Sequence, residues 1–387
     1  MSTGLTAAGI EKLRETAAEH VGDTQVPGLV ALVASGEQVH VESLGHLTIG
    51  GAPVARDSLF RIASTTKPIT AAAVLRLVDE GLVDLDEPVD RLLPELANPR
   101  VLRRPDGPLT DTVPARRAIT ARDLLTFTGG FGMAMEMFAA ATPWPVDQAQ
   151  RSLGLATFGP PEPAVQPDPD TWIANLGSLP LLAQPGERWL YNTGSSVLGV
   201  LAARAAGTPF AEVLRSRLFE PLGMRDTRFW AADSSRLATA YVSGPGGLLV
   251  WDQPDGAWSR PPAFGDGAAG LVSTAEDLLA FARMLLRGGS PVLSAEAVRG
   301  MTTDQLTAEQ KARGGLGPDF FTGRSWTLGQ SVLDSGAYGW DGGLGTSFLV
   351  DPGRDLIVIV LTQRMFDSPE PPPVHRAIQA AAYAALA

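Results

Sequence analysis

The segment Thr346-Ser347-Phe348-Leu349-Val350-Asp351-Pro352-Gly353-Arg354-Asp355-Leu356-Ile357-Val358-Ile359-Val360-Leu361-Thr362 reads as two strands about a turn. Pro presets φ and Gly tolerates positive φ, so Asp351 to Arg354 supplies the reversal. Thr346 to Val350 and Asp355 to Thr362 are therefore the arms of a predicted hairpin. Leu356 to Leu361 is the longest strongly apolar run in the chain. It falls far short of the roughly 18 residues that would span a bilayer, and so predicts a buried strand. An Ala-rich helix is expected after it, over Val374 to Leu386.

Outward from this hairpin, the other end of the chain repeats the pattern. Leu29 to Ala34 and Gln38 to Ser43 flank Ser35-Gly36-Glu37, which predicts a second hairpin after a helix over Met1 to His20. Between the two ends the apolar spacing becomes i, i+3, i+4 over Thr66 to Glu80, Ala121 to Thr126, Ser195 to Ala206, Phe210 to Phe219 and Thr274 to Arg287. Sheet-forming ends around a helical middle predict an α+β fold, an α/β sandwich. In it an antiparallel sheet from both chain ends is flanked by helices and carries an inserted, mostly helical domain. The expected division is 1–82 with 236–387 for the sheet domain and 83–235 for the helical one, with the active site between them. Seven prolines from Pro143 to Pro169 predict a long irregular loop, either a surface excursion or a wall of the site.

Composition narrows the chemistry. The net charge of −11 and the lack of any Lys/Arg block argue against nucleic acid or anionic membrane surfaces as partners. With no cysteine there is no thiol nucleophile, disulfide framework or Cys-ligated metal. No metal spacing or H-E-x-x-H links the four histidines, so no metal or organic cofactor is named. His40 and His46, beside the first hairpin, read as structural. The first residues lack a basic stretch followed by an apolar one, so a cytoplasmic location is expected.

Phe60-Arg61-Ile62-Ala63-Ser64-Thr65-Thr66-Lys67-Pro68 is the informative motif. Ser64 and Lys67 stand almost one helical turn apart at a helix start and share a face. Helix N-terminal amides favour a developing alkoxide, and a lysine becomes a base once burial or neighbouring positive charge lowers its pKa. The chain has only three lysines, Lys12, Lys67 and Lys311, among 31 basic residues. Arginine cannot give up its proton, so a position that must cycle protonation has to be lysine. The motif alone is short, and an ordinary helix start with a surface lysine fits it too. No Gly-x-Ser-x-Gly elbow offers a competing nucleophile, and the Gly-rich run at Gly244 to Gly247 lacks a following Lys-Ser/Thr.

The surrounding residues carry a resemblance that the motif alone does not. Asp57 through Pro68, Leu85-Asp86-Glu87-Pro88-Val89-Asp90, Ile119 to Thr126 with Thr128-Gly129-Gly130, and Pro185-Gly186-Glu187-Arg188-Trp189-Leu190-Tyr191-Asn192 occur in order. Gly270 to Leu278 and Gly339-Trp340-Asp341-Gly342-Gly343 follow. From about residue 25 to 365 the chain resembles the serine β-lactamase and penicillin-binding-protein superfamily, in its class C-like branch and closest to family VIII carboxylesterases.

The resemblance implies Ser64 as nucleophile, Lys67 as its proton partner and Tyr191 as a proton relay to the leaving group. On its own residues Tyr191 reads equally as core. The resemblance further implies an oxyanion hole from the amides of Ser64 and Gly343. It sets Asn192, Trp340, Asp341 and Gly342 against the substrate. Two departures matter. The family's Tyr-x-Asn would put its amide at 193, where this chain has Thr193 with Asn192 before it. Its Lys-Thr-Gly is here Trp340-Asp341-Gly342, which removes a cation and suits an apolar acyl or alcohol group. The expected activity is hydrolysis of a small-molecule carboxylic ester through an acyl-enzyme on Ser64. The alternatives are acyl transfer or amide hydrolysis on a specific metabolite, β-lactamase or D-alanyl peptidase activity, and a non-catalytic binding scaffold.

Overall fold

A computed structural model describes residues 4–157 and 159–387. Residues 1–3 of the expected first helix and residue 158 of the proline-rich segment lie outside them. The two hairpins form where the apolar runs and turn residues placed them and join into one antiparallel sheet of seven strands. These are β1 (Gly28–Ser35), β2 (Gln38–Gly45), β3 (Arg324–Trp326), β4 (Ser331–Leu333), β5 (Tyr338–Gly342), β6 (Thr346–Asp351) and β7 (Leu356–Thr362), in the order β2-β1-β7-β6-β5-β4-β3. The hairpin from each end meets at β1 and β7, where Val30 pairs with Leu361 and Val33 with Val358.

Both strands are buried throughout because both faces of the sheet are covered. Side chains alternate across a strand. Val30, Leu32, Ile357, Ile359 and Leu361 enter the large central core, while Leu29, Ala31, Val33, Leu356, Val358 and Val360 enter a second core. That second core is closed by α1 (Ala7–Glu19) and the terminal helix Pro373–Ala384. The central core is filled by α2 (Thr66–Asp79), α3 (Thr193–Ala206) and α4 (Ala275–Leu286). Thr6 and Thr274 cap the starts of α1 and α4 with side-chain oxygens, and Gly207 ends α3 in the left-handed conformation.

Two expectations need correction. The proline-rich stretch is not irregular throughout, because Pro145–Ser152 is a helix. Pro145 occupies its first position, where a missing N–H costs nothing. The expected helix Phe210 to Phe219 is α-helical only to Leu214 and continues as a π-helical turn over Arg215–Phe219. Among the described residues no single helix is long and apolar enough to cross a membrane.

Candidate active site

The backbone before α2 is forced into position. Ala63 adopts a left-handed φ of 42°, rare for a residue with a Cβ, and opens a 3-10 turn over Ala63–Thr65 that carries Ser64 into α2. Several bonds hold this turn. The Ile62 amide donates to the Leu271 carbonyl at 3.0 Å, and the Thr346 hydroxyl donates to the Ile62 carbonyl at 2.9 Å. The end of β5 presses against the same carbonyl: a Cβ on Gly342 would lie 2.2 Å from the Ile62 oxygen. Gly342 does not line the cavity over Ser64, contrary to its expected place against the substrate. Its lack of a side chain lets the strand approach the nucleophile turn.

Lys67 is fully buried, with Nζ 2.8 Å from Ser64 Oγ and 2.9 Å from the Ala268 carbonyl oxygen. Burial disfavours the ammonium and brings its pKa down to about 7, against the opposing pull of the Asp266 charge. The ordinary-surface reading of this lysine is thereby excluded. Nζ also lies 4.6 Å from the centre of the Tyr191 ring.

Tyr191 is both core and site. Its ring packs edge-on to Phe127 and stacks on Trp189, within a cluster that includes Trp326 and Trp340. Its backbone pairs with Met133 in both directions, at 3.0 and 2.8 Å. Its hydroxyl is hydrogen-bonded with Ser64 and receives the Trp340 indole N–H at 2.7 Å. Burial is the main cause that raises its pKa, so the phenol stays protonated at neutral pH. An indole N–H can only donate. The Tyr191 oxygen therefore accepts from Trp340 while its own O–H stays available to donate toward Ser64, an arrangement that the sequence did not disclose.

Asn192 lines the cavity in a strained backbone state, φ 84°, with the Thr193 amide turned back to the Tyr191 carbonyl. One N–H of its amide donates to the Thr157 carbonyl at 3.1 Å, so it ties down the proline-rich segment. Trp340 and Asp341 both line the cavity. Burial raises the Asp341 pKa, opposed by a hydrogen bond with Ser347 and the charge of Arg324. Arg324 itself lines the cavity and stands over the Phe320 ring, a cation that motif reading missed because it lies 16 residues before Trp340.

The cavity over Ser64 has a volume of about 410 Å³. Gly159, Pro160 and Pro161 form part of its wall, which answers the open question about the proline-rich stretch. Leu316, Phe320, Leu344 and Phe366 make much of the remainder apolar. Gly343 opens onto it with nothing within 4 Å of where its Cβ would stand. Among the described residues neither the Ser64 nor the Gly343 amide donates to a backbone carbonyl. His40 and His46 lie elsewhere and make local bonds, to Glu42 at 2.7 Å and to the Gly51 carbonyl at 3.0 Å.

Known proteins share this arrangement of chain. Protein Rv1367c of Mycobacterium tuberculosis is 39% identical over 88% of this chain and 86% of its own length. Esterase EstB of Burkholderia gladioli is 32% identical over 89% and 88%. The solved structure of EstCE1, described as a hydrolase with promiscuous acyltransferase activity, superposes with a TM-score of 0.81 at 23% identity and covers 97% of this chain and 99% of its own. The Beta-lactamase family model matches residues 13–383, which include both hairpins and every site residue named above, and the chain belongs to that family.

Proposed function

We propose that this protein is a serine carboxylesterase that works through an acyl-enzyme on Ser64. The observation that carries this reading is a buried Lys67 amine 2.8 Å from Ser64 Oγ beneath a largely apolar cavity. In the neutral amine, the lone pair faces the Ser64 O–H and the N–H groups face the Ala268 carbonyl and the Tyr191 ring. Lys67 takes the proton as Ser64 Oγ bonds to the ester carbonyl carbon. The oxygen that becomes negative is received by the Ser64 and Gly343 amides. As the C–O bond breaks, the Tyr191 O–H protonates the leaving alcohol, and the Lys67 ammonium restores the tyrosine proton. Water then enters by the reverse sequence and releases the acid.

In this reading Ser64 and Lys67 belong to the 1–82 and 236–387 domain, Tyr191 and Asn192 to the 83–235 domain, and the site lies at their junction. The aromatic Trp340 in place of a lysine favours a neutral ester over an anionic lactam, and EstB supports the same choice by its name.

The test is hydrolysis of p-nitrophenyl esters from acetate to octanoate, with a chromogenic cephalosporin alongside and Ser64→Ala as control. Serine-dependent turnover with a chain-length optimum and little lactam cleavage is expected. Retention of more than about a hundredth of the activity by Ser64→Ala would remove Ser64 as nucleophile. A second reading, transfer of the acyl group to an alcohol or amine, is favoured by a further cleft of about 680 Å³ that shares Phe320, Arg324, Trp340 and Asp341 with the first. Product analysis with added alcohol separates the two.

A further inference from the structure

Asp266 was not among the residues singled out from the sequence, yet it lies in the wall of the Ser64 cavity and is 5% exposed. It stands in the loop Phe264 to Gly270, pinned between two helices. The Thr70 hydroxyl of α2 donates to the Gly267 carbonyl at 2.7 Å, and a Cβ on Gly267 would lie 2.5 Å from the Ser195 carbonyl oxygen of α3. Asp266 Oδ1 receives the Ser196 hydroxyl at 2.6 Å and the Ala268 amide at 2.9 Å. Gln166, from the proline-rich segment, adds a second side-chain bond. Ala268 is also the residue whose carbonyl receives Lys67 Nζ.

A carboxylate buried this deeply is strongly disfavoured unless a charge partner offsets it. Among the described residues Asp266 makes no ion pair within 4 Å, and the cation whose charge it feels is Lys67. Ser64 from its own helix, Tyr191 from the segment before α3 and the Ala268 carbonyl face the lysine amine, and the charge of Asp266, two residues before that carbonyl, bears on it. Asp341, on β5, acts on Tyr191. Asp266 is thus the acidic side chain whose charge bears on Lys67.

We propose that Asp266 is the positioning residue of this site: it fixes the Ala268 carbonyl that aims the Lys67 amine at Ser64, and its negative charge stabilises the ammonium formed when Ser64 gives up its proton. The arrangement parallels the carboxylate that orients and stabilises the base of a Ser-His-Asp triad, with the lysine in place of histidine. Burial raises the Asp266 pKa, and three bonds to the carboxylate together with the charge of Lys67 oppose that rise. The proline-rich segment enters the same network through Gln166, which joins one cavity wall to the base.

The inference rests on Ser64 being the nucleophile, and the test reads that separately. The rate of Ser64 labelling by a fluorophosphonate probe is followed against pH, for the full chain and for Asp266→Asn. Asparagine keeps an oxygen for the Ser196 and Ala268 bonds and removes the charge. Wild-type labelling that Ser64→Ala abolishes establishes the nucleophile, and its absence overturns the esterase reading itself. Given labelling, Asp266→Asn is expected to label about 10- to 100-fold more slowly near neutral pH in a chain of unchanged Tm. Its acid limb moves to lower pH by about half a unit to one unit, because the ammonium has lost its counter-charge. A slower rate with the limb unmoved, or a limb that moves up, overturns the proposal, since a purely structural role leaves the lysine titration in place. If Asp266→Asn does not fold, Ser196→Ala removes one bond from the carboxylate and must move the limb the same way by less; no movement overturns the proposal.

Discussion

On one side of Ser64 lies a lysine whose amine is held by a backbone carbonyl and feels the charge of a buried aspartate; on the other lies a tyrosine walled by four aromatic rings and held by an indole. Both side chains are buried, and burial disfavours the charged form of each. For Lys67 the charged form carries the extra proton, so its pKa falls to about 7 and a free base becomes available. For Tyr191 the charged form lacks the proton, so its pKa rises and an acid is retained. One physical effect therefore gives opposite roles to neighbours that share a hydroxyl. What differs is the polar contact left around each: the lysine amine donates to a backbone carbonyl, and the tyrosine hydroxyl accepts from a neutral indole. Replacing a lysine by Trp340 at the third motif thus changes more than substrate charge. It withholds the cation that would otherwise pull the phenol toward ionisation.

The largest expected effect tests the lysine side. Lys67→Met is expected to lower kcat by at least about a thousandfold, since the base is lost. It should also stabilise the fold near pH 7, by on the order of 2 kcal/mol after the lost hydrogen bonds are deducted. The sign follows from the lowered pKa: between pH 7 and 10.5 the unfolded lysine binds more protons than the folded one, so wild-type stability rises with pH across that window. Urea unfolding at several pH values should show the gap between variant and wild type greatest at pH 7 and closing toward pH 10.5. A gap that does not change with pH would mean that Lys67 is not held below its ordinary range.

Next in size is the tyrosine side. Trp340→Phe keeps an aromatic ring beside Tyr191 and removes the N–H that occupies its hydroxyl. A fall in kcat of about 10- to 100-fold with KM moved less than threefold is expected, because the tyrosine proton is then free to turn from Ser64. A change confined to KM would instead make Trp340 a pocket wall only, as its motif position alone suggested.

These two sides were not equally legible in the sequence. Three-residue spacing at a helix start and the scarcity of lysine pointed to Lys67 from local information, and apolar runs about turn residues pointed to both hairpins. Tyr191 required the order of surrounding motifs, since an aromatic in an apolar run is what a core also looks like. The direction of its hydroxyl depends on Trp340, 149 residues later, and the support of Lys67 depends on Asp266 and Ala268, about 200 residues later. No periodicity records such meetings. An aspartate between glycines, at Gly265-Asp266-Gly267, resembles any turn. Gly342 was assigned to the substrate on motif position, whereas the packing that requires it is with a backbone carbonyl 280 residues earlier. The helix at Pro145–Ser152 was hidden because prolines were counted rather than placed.

The smallest expected effect decides whether the two sides are electrostatically separate. Asp341 is a second acidic side chain in the cavity wall, and its charge bears on Tyr191, whereas the acid whose charge bears on Lys67 is Asp266. Asp341→Asn is therefore expected to leave the acid limb of the kcat/KM profile within about 0.2 pH units of wild type, even as the altered pocket lowers turnover by up to about tenfold. The same isosteric change at 266 moves that limb. A limb displaced equally by both substitutions would mean that the site responds to total negative charge, as a small cavity with a diffuse field would. Displacement by Asp266→Asn alone would mean that position decides, because in a buried site the charge packed toward the amine is screened least.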